Sequence, residues 1–382
     1  MEARGRVEPG FAPVVEAFTD NFTHHGEVGA AVCVYRHGRP VVDIWGGLAD
    51  RQQDRPWSED TATLVFSSTK GITAICANLL AERGLLDLDA PVASYWPEFA
   101  AEGKAGVTVR WALSHRAGVP AVDAHLTLEQ VLGWDAVVAA IAGQRPEWEP
   151  GTAHGYHART FGWIAGEVVR RITEQTFGGF LANEVVAPLS LDFWVGLPEA
   201  EEARVATIYP PVPPADPKVR QAIEAFMGPG TLLGRVLSGP SGLFGYNDMW
   251  NRRELHAAEM PSSNGIGTAR ALARAYAAVI GEVDGVRVLA PATVAAASQV
   301  QADGPDRVLG VATRFGTGFA LPPMLGAGLS RTAFGHPGAG GSLGFADPDA
   351  GVSFGYVMNQ MKLGVSGDER TAGLIKALYR CL

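Results

Sequence analysis

Apolar residues recur along this chain with two spacings, and the change from one to the other organises it. Positions 11–22 have helical spacing. Two β-rich runs follow, Ala30-Ala31-Val32-Cys33-Val34-Tyr35 and Val41-Val42-Asp43-Ile44-Trp45, and the short polar turn Arg36-His37-Gly38-Arg39 between them predicts a hairpin. From about 85 to 280 the pattern is mostly helical, with helices predicted over 107–115, 126–142, 161–172, 177–189 and 266–280. Asp192-Phe193-Trp194-Val195 is a short extended run. Five prolines within 209–217 exclude regular structure there. The weakly periodic stretch after them, to 261, reads as a lid or binding segment. Strand signals return at 308–321, 341–346 and 352–358, and a helix over 369–379 closes the chain.

Strands at both ends with helices between them predict an α+β fold. One lobe carries an antiparallel sheet of five or more strands flanked by helices and is built from residues 1–60 and 290–382. Residues 61–289 form a mostly helical lobe, with 207–261 a loop-rich lid or pocket segment.

One stretch departs from the ordinary amphipathic pattern. Residues 61–81 hold a single charge, Lys70. Ile72, Ile75, Cys76, Leu79 and Leu80 make a core-facing stripe, but the opposite face continues as Ala74, Ala77 and Ala81, too small and uncharged for a solvent face. Ser67 and Lys70 lie on that second face, roughly 60° apart about the axis. A buried, unpaired lysine finds a partner or lowers its pKa, and a lysine so tuned can take a proton from a serine. The same residues also read as an N-cap before a helix whose lysine reaches water.

Such a pair needs a proton relay, oxyanion donors and a substrate wall. Tyr156, just after a glycine and before a packed helix, is the relay candidate, though it also reads as a loop anchor beside His154 and His157. Phe334-Gly335-His336-Pro337-Gly338-Ala339-Gly340-Gly341-Ser342 is glycine-rich enough for a strand backbone to approach a ligand closely. Phe226, Met227, Phe244, Tyr246 and Trp250 are candidate pocket wall, with plain core the alternative.

Ser67-Ser68-Thr69-Lys70, the Tyr156 loop and a His-x-Gly box on a late strand, in that order, resemble the serine β-lactamase and penicillin-binding-protein superfamily. Leu113-Ser114-His115-Arg116-Ala117-Gly118 resembles a segment of its class C-like branch, and the whole chain is most similar to the family VIII carboxylesterases. The resemblance implies a β-lactamase-like fold and ester cleavage through an acyl-enzyme, with Ser67 as nucleophile and Lys70 as general base. It further implies that Tyr156 shares the base role and protonates the departing alkoxide, that the N–H groups of Ser67 and Ala339 form the oxyanion hole, and that His336 and Gly338 contact substrate. Two departures matter. Tyr156-His157-Ala158 lacks the amide of the common Tyr-x-Asn box, and His336-Pro337-Gly338 lacks the cation and hydroxyl of Lys-Thr-Gly. The second loss favours neutral esters of short to medium acyl chains over penicillins. Acyl transfer, D-amino-acid amide hydrolysis, weak β-lactam hydrolysis and non-catalytic ligand binding stay open as alternatives.

Other motifs carry weaker chemistry. Gly340-Gly341-Ser342-Leu343-Gly344 matches the Gly-x-Ser-x-Gly elbow but is followed by Pro348 and a strand, not a helix. Ser262-Ser263-Asn264 reads as a cap before a helix. His154 and His157 lack a third metal ligand, and His115 reads as a structural hydrogen-bonder, so no metal or cofactor is implied.

Composition narrows the classes further. Across 382 residues, 47% are hydrophobic and 19% charged, which is globular. A net charge of −9 with no basic run argues against nucleic acid as a partner. No apolar run approaches the roughly 18 residues of a membrane span, and the first residues lack the apolar core of a signal peptide. Three distant cysteines suggest buried thiols, and a cytoplasmic protein acting on a small-molecule ester is expected.

Overall fold

A computed structural model describes residues 2–364 and 367–382. The main sheet is antiparallel and seven-stranded, and it joins the two ends of the chain. Its order is Arg4–Val7, Arg39–Asp50, Gly29–Arg36, Val352–Met358, Leu343–Asp347 and Phe334–Pro337, with Arg55–Pro56 added beside Arg39–Asp50. The predicted hairpin is the Gly29–Arg36 and Arg39–Asp50 pair, and Phe354 lies opposite Val34 in the neighbouring ladder.

Alternation along the central strands divides two cores. Val32, Val34, Phe354 and Tyr356 pack with Val14, Phe18, Leu374 and Leu378 of the helices Ala12–His24 and Glu369–Tyr379 and with Phe11 just before the first of them. Cys33, Tyr35 and Val357 point the other way, into a core shared with the helices Thr69–Glu82 and Ala269–Ile280. Side chains of a strand alternate faces, so a strand buried on both sides reads as a continuous apolar run. The helix carrying Lys70 is buried from Thr69 to Leu80, which is why it has no polar face.

The region after Tyr209 differs from the expected loops. It contains the helices Pro217–Met227, Leu232–Ser238 and Arg253–Ala257 and the turn Asp248–Asn251. Asp216, Thr231 and Asn247 start three of these by accepting a backbone N–H. Pro217–Met227 buries none of its residues fully, although Val219, Ile223, Phe226 and Met227 recur along it at helical spacing; the prolines just before it obscured that stripe. The strand expected over 308–321 is also corrected. A separate hairpin pairs Ala302–Pro305 with Ala312–Phe315, and between them Asp306 accepts the N–H groups of Val308 and Leu309, which turns the chain. No helix among the described residues is long and apolar enough to cross a membrane.

Helix Ala269–Ile280 lies directly on the sheet at Gly355, where a Cβ would meet the Ala269 carbonyl oxygen at 2.2 Å and the Ala273 nitrogen at 2.8 Å. Gly355→Ala should therefore cost about 1–3 kcal/mol through overpacking. A urea titration should show an earlier midpoint, and an unchanged midpoint would contradict the close approach.

Candidate active site

Ser67 sits in a 3-10 turn, Phe66–Ser68, that runs straight into the helix Thr69–Glu82. Phe66 before it has φ 44°, a left-handed conformation rare for a bulky residue. The surroundings impose it: the Phe66 ring meets Trp250 edge-on at 5.2 Å and Tyr246 at 5.9 Å, and its carbonyl accepts from Thr69 Oγ1 at 2.5 Å. Strain of this kind persists where neighbours over-determine it, and here it turns Ser67 into the site.

Lys70 is fully buried, with Nζ 3.1 Å from Ser67 Oγ, 2.6 Å from the Ala158 carbonyl and 3.0 Å from the Ser262 carbonyl. No carboxylate pairs with it among the described residues. Burial, and then the Arg159 charge, hold its pKa well below the ordinary lysine range. A neutral amine has two N–H groups and one lone pair. The two carbonyls take the N–H groups, so the lone pair faces the Ser67 hydroxyl.

Tyr156 enters from the other side on a braced loop. Its backbone N–H donates to Asp306 Oδ1 at 3.1 Å, the His157 N–H to His115 Nδ1 at 3.1 Å, and the Gly155 N–H to the His115 carbonyl. Its ring stacks between Phe315 and His336, at 6.3 and 6.0 Å, and lies 4.9 Å from Lys70 Nζ. Burial raises the phenol above its usual 10, with the Ser67 hydroxyl the main influence opposing the rise.

The Gly338 turn closes the third side. Ala339 opens a short 3-10 turn, Ala339–Gly341, as Ser67 stands within another, and N–H groups at such positions have no partner inside the turn. Ser342 joins the two turns: its hydroxyl donates to the Val65 carbonyl at 2.7 Å and lies 3.1 Å from Ser68 Oγ, while its carbonyl accepts from the Gly338 N–H. At Gly338 a Cβ would fall 2.1 Å from Ser342 Oγ and 2.3 Å from the Val65 carbonyl, so only glycine fits. Behind the turn, buried Arg370 donates to the Gly340 carbonyl at 2.5 Å and is itself paired with Glu27 and Asp368.

Ser67, Tyr156, Ala339 and Tyr246 line one tight slot of about 10 Å³, with Phe66, Ala158, Arg159, Leu237 and Ser263 completing the wall. Tyr156 and Leu237 also border a larger chamber of about 450 Å³, walled by Phe226, Met227, Leu233, Leu309 and Met324 among others. Four of the residues singled out for substrate contact line neither cavity. Phe244 and Trp250 are buried core stacked 5.5 Å apart, and they brace Phe66 from behind. Gly338 packs against Val65. His336 is buried beneath Tyr156 with Nδ1–H donating to the Pro337 carbonyl.

Ser262-Ser263-Asn264 is corrected from a cap to part of the site. Thr268 caps the following helix, whereas Ser262 gives Lys70 a carbonyl and Asn264 ties the segment to Leu255 and Ala258. Arg159, Asp306 and the Ala158 carbonyl escaped the sequence reading because backbone carbonyls and long-range anchors leave no local pattern. His154 and His157 hold Thr313 and the Val119 N–H, and among the described residues no cluster of three or more His, Cys, Asp or Glu could hold a metal ion.

The beta-lactamase sequence profile matches residues 14–378. The chain belongs to the beta-lactamase family. Within that family it is 37% identical over 374 residues to the esterase/beta-lactamase LipL of Mycobacterium tuberculosis, covering 94% of this chain and 83% of that one. A crystal structure of a family VIII carboxylesterase superposes with TM-score 0.91 at 39% identity, over 100% of both chains. A penicillin-binding protein homologue from Caulobacter crescentus gives 0.89 at 37%, again over 100% of both.

The histidines around this beta-lactamase-family site set an acid limit. Burial lowers His157 to about 4 and His336 to about 3, and drives His115 well below its usual 6.5. Below pH 6.5 the unfolded chain binds more protons than the folded one. Stability is therefore full above 6.5 and falls towards pH 4 by about 1.4 kcal/mol per unit for each such histidine. Urea unfolding at pH 7, 6 and 5 should show the decline already at 6 to 5; a flat profile there would contradict these buried neutral rings.

Proposed function

We propose that the chain is a serine carboxylesterase working through an acyl-enzyme on Ser67. The observation that carries this reading is the Lys70 amine, 3.1 Å from Ser67 Oγ, its N–H directions fixed by two carbonyls and no acid beside it. Lys70 takes the Ser67 proton as Oγ attacks the ester carbonyl. The N–H groups of Ser67 and Ala339 receive the oxyanion. Tyr156 passes the proton to the leaving alkoxide, which places the alcohol on the chamber side of the phenol and the acyl group in the slot. Water then enters, gives its proton back along the same path, and releases the acid. The apolar chamber suits an uncharged alcohol, and the absence of a Lys-Thr-Gly cation from His336-Pro337-Gly338 favours esters over β-lactams. The family VIII carboxylesterase and LipL likenesses support the same class; the penicillin-binding protein homologue keeps β-lactam or D-amino amide chemistry as the second reading.

A panel of 4-nitrophenyl esters run beside nitrocefin, with the adduct located by mass spectrometry, tests it. The acyl group should sit on Ser67; Ser67→Ala should abolish turnover, and Lys70→Ala should lower it by about 10²–10⁴-fold. Normal burst kinetics in Ser67→Ala would overturn the assignment. The pH profile follows from the same groups. Lys70 must be neutral and its pKa is lowered, so the acid limb lies below the lysine range. Tyr156 must be protonated and its pKa is raised, so no basic limb enters below 10. The kcat/KM profile should level off before pH 10, and a rate still climbing towards pH 10 would contradict a depressed lysine.

A further inference from the structure

Arg159 is a cation without a partner on the wall of the catalytic slot. It is 6% exposed, and its guanidinium lies over the Phe244 ring at 4.4 Å and the Trp250 ring at 5.2 Å. Nη2 donates to the Leu237 carbonyl at 2.6 Å, while Nε is buried with no hydrogen bond. It forms no ion pair among the described residues. Among the residues that line the slot, Arg159 is the one charged side chain, and no carboxylate stands with it. Aromatic faces offset part of the cost of burying a guanidinium, but an unpaired charge and an unsatisfied donor both remain. A clamp on helix Leu232–Ser238 explains Nη2 and the ring contacts. It leaves Nε and the missing counter-charge unexplained.

We propose that Arg159 is an anion-recognition group of the acyl subsite, and that the preferred substrates are half-esters of short dicarboxylic acids, with the carboxylate drawn to the guanidinium and an apolar alcohol in the chamber. The proposal rests on the carboxylesterase reading and gives it a substrate class. The acyl–oxygen bond of the ester breaks, the alcohol leaves with the proton from Tyr156, and water supplies the hydroxyl of the second carboxyl group. The cation absent from the His336 box is thus present on the acyl side, which revises the expectation of a wholly neutral substrate. The slot's small volume favours a short spacer between carboxylate and ester.

The test compares monobutyl malonate, succinate and glutarate with butyl butyrate and butyl pentanoate by pH-stat. The wild type should favour at least one half-ester by tenfold or more in kcat/KM. Arg159→Met should bring the ratio to one or below, and Arg159→Lys should keep part of it. Equal hydrolysis of both ester classes by the wild type would overturn the proposal while leaving the esterase reading intact. So would an Arg159→Met variant that slows both classes by the same factor, the result of a purely structural clamp. Calorimetric titration of the free dicarboxylates needs no turnover, so it judges Arg159 even if no ester is cleaved and the esterase reading fails. Binding that weakens at least tenfold in Arg159→Met supports the site, and equal or absent binding in both proteins removes it.

Discussion

The candidate site depends on enclosing an amine where no acid can balance its charge. Lys70 is enclosed on every side, and its neighbours are carbonyls, aromatic rings and a second basic group. In such a place the ammonium form is the costly one. The fold meets this condition by burying both faces of the Thr69–Glu82 helix between the sheet lobe and the helical region, which is unusual for a helix bearing a lysine. The two carbonyls then aim the amine, because with both of them occupied its remaining direction is towards Ser67.

Much of this architecture was legible in the chain. Both terminal strand groups and the buried helix could be read from periodicity, and the boxes around Ser67, Tyr156 and His336, taken in order, carried the resemblance to the family. The sheet's strands showed as apolar runs because they are covered on two sides. Where reading failed, the cause was physical. Pro217–Met227 carries a stripe of Val219, Ile223, Phe226 and Met227, but it follows directly on a run of prolines and turns Phe226 and Met227 to a chamber instead of the core, so it did not stand out as a helix. Phe244 and Trp250 looked like pocket wall because an aromatic cluster in an irregular segment has the same composition whether it faces a ligand or the back of Phe66. The partners of Lys70 are main-chain oxygens of Ala158 and Ser262, and a carbonyl has no letter in the sequence.

Tyr156 divides the cavity into unequal parts, and the two parts differ in polarity as well as size. One side holds the N–H groups of Ser67 and Ala339 with a guanidinium nearby; the other is walled by methionine, leucine and phenylalanine. A single phenol, braced by stacking and by the Asp306 contact to its backbone, therefore stands at the boundary of both cavities.

The turn carrying Ala339 is anchored from segments far from it in the chain. Ser342 fastens it to Val65, and Arg370 fastens it to Glu27, Asp368 and the Gln360 carbonyl, so the segment leading into the first hairpin, the final helix and the Ser67 turn share one mechanical frame. A chimaera between relatives cannot exchange either end by itself. The segments around Glu27 and from 334 to 379 would have to travel together, or the recipient would inherit a mismatched hinge beneath its reaction centre.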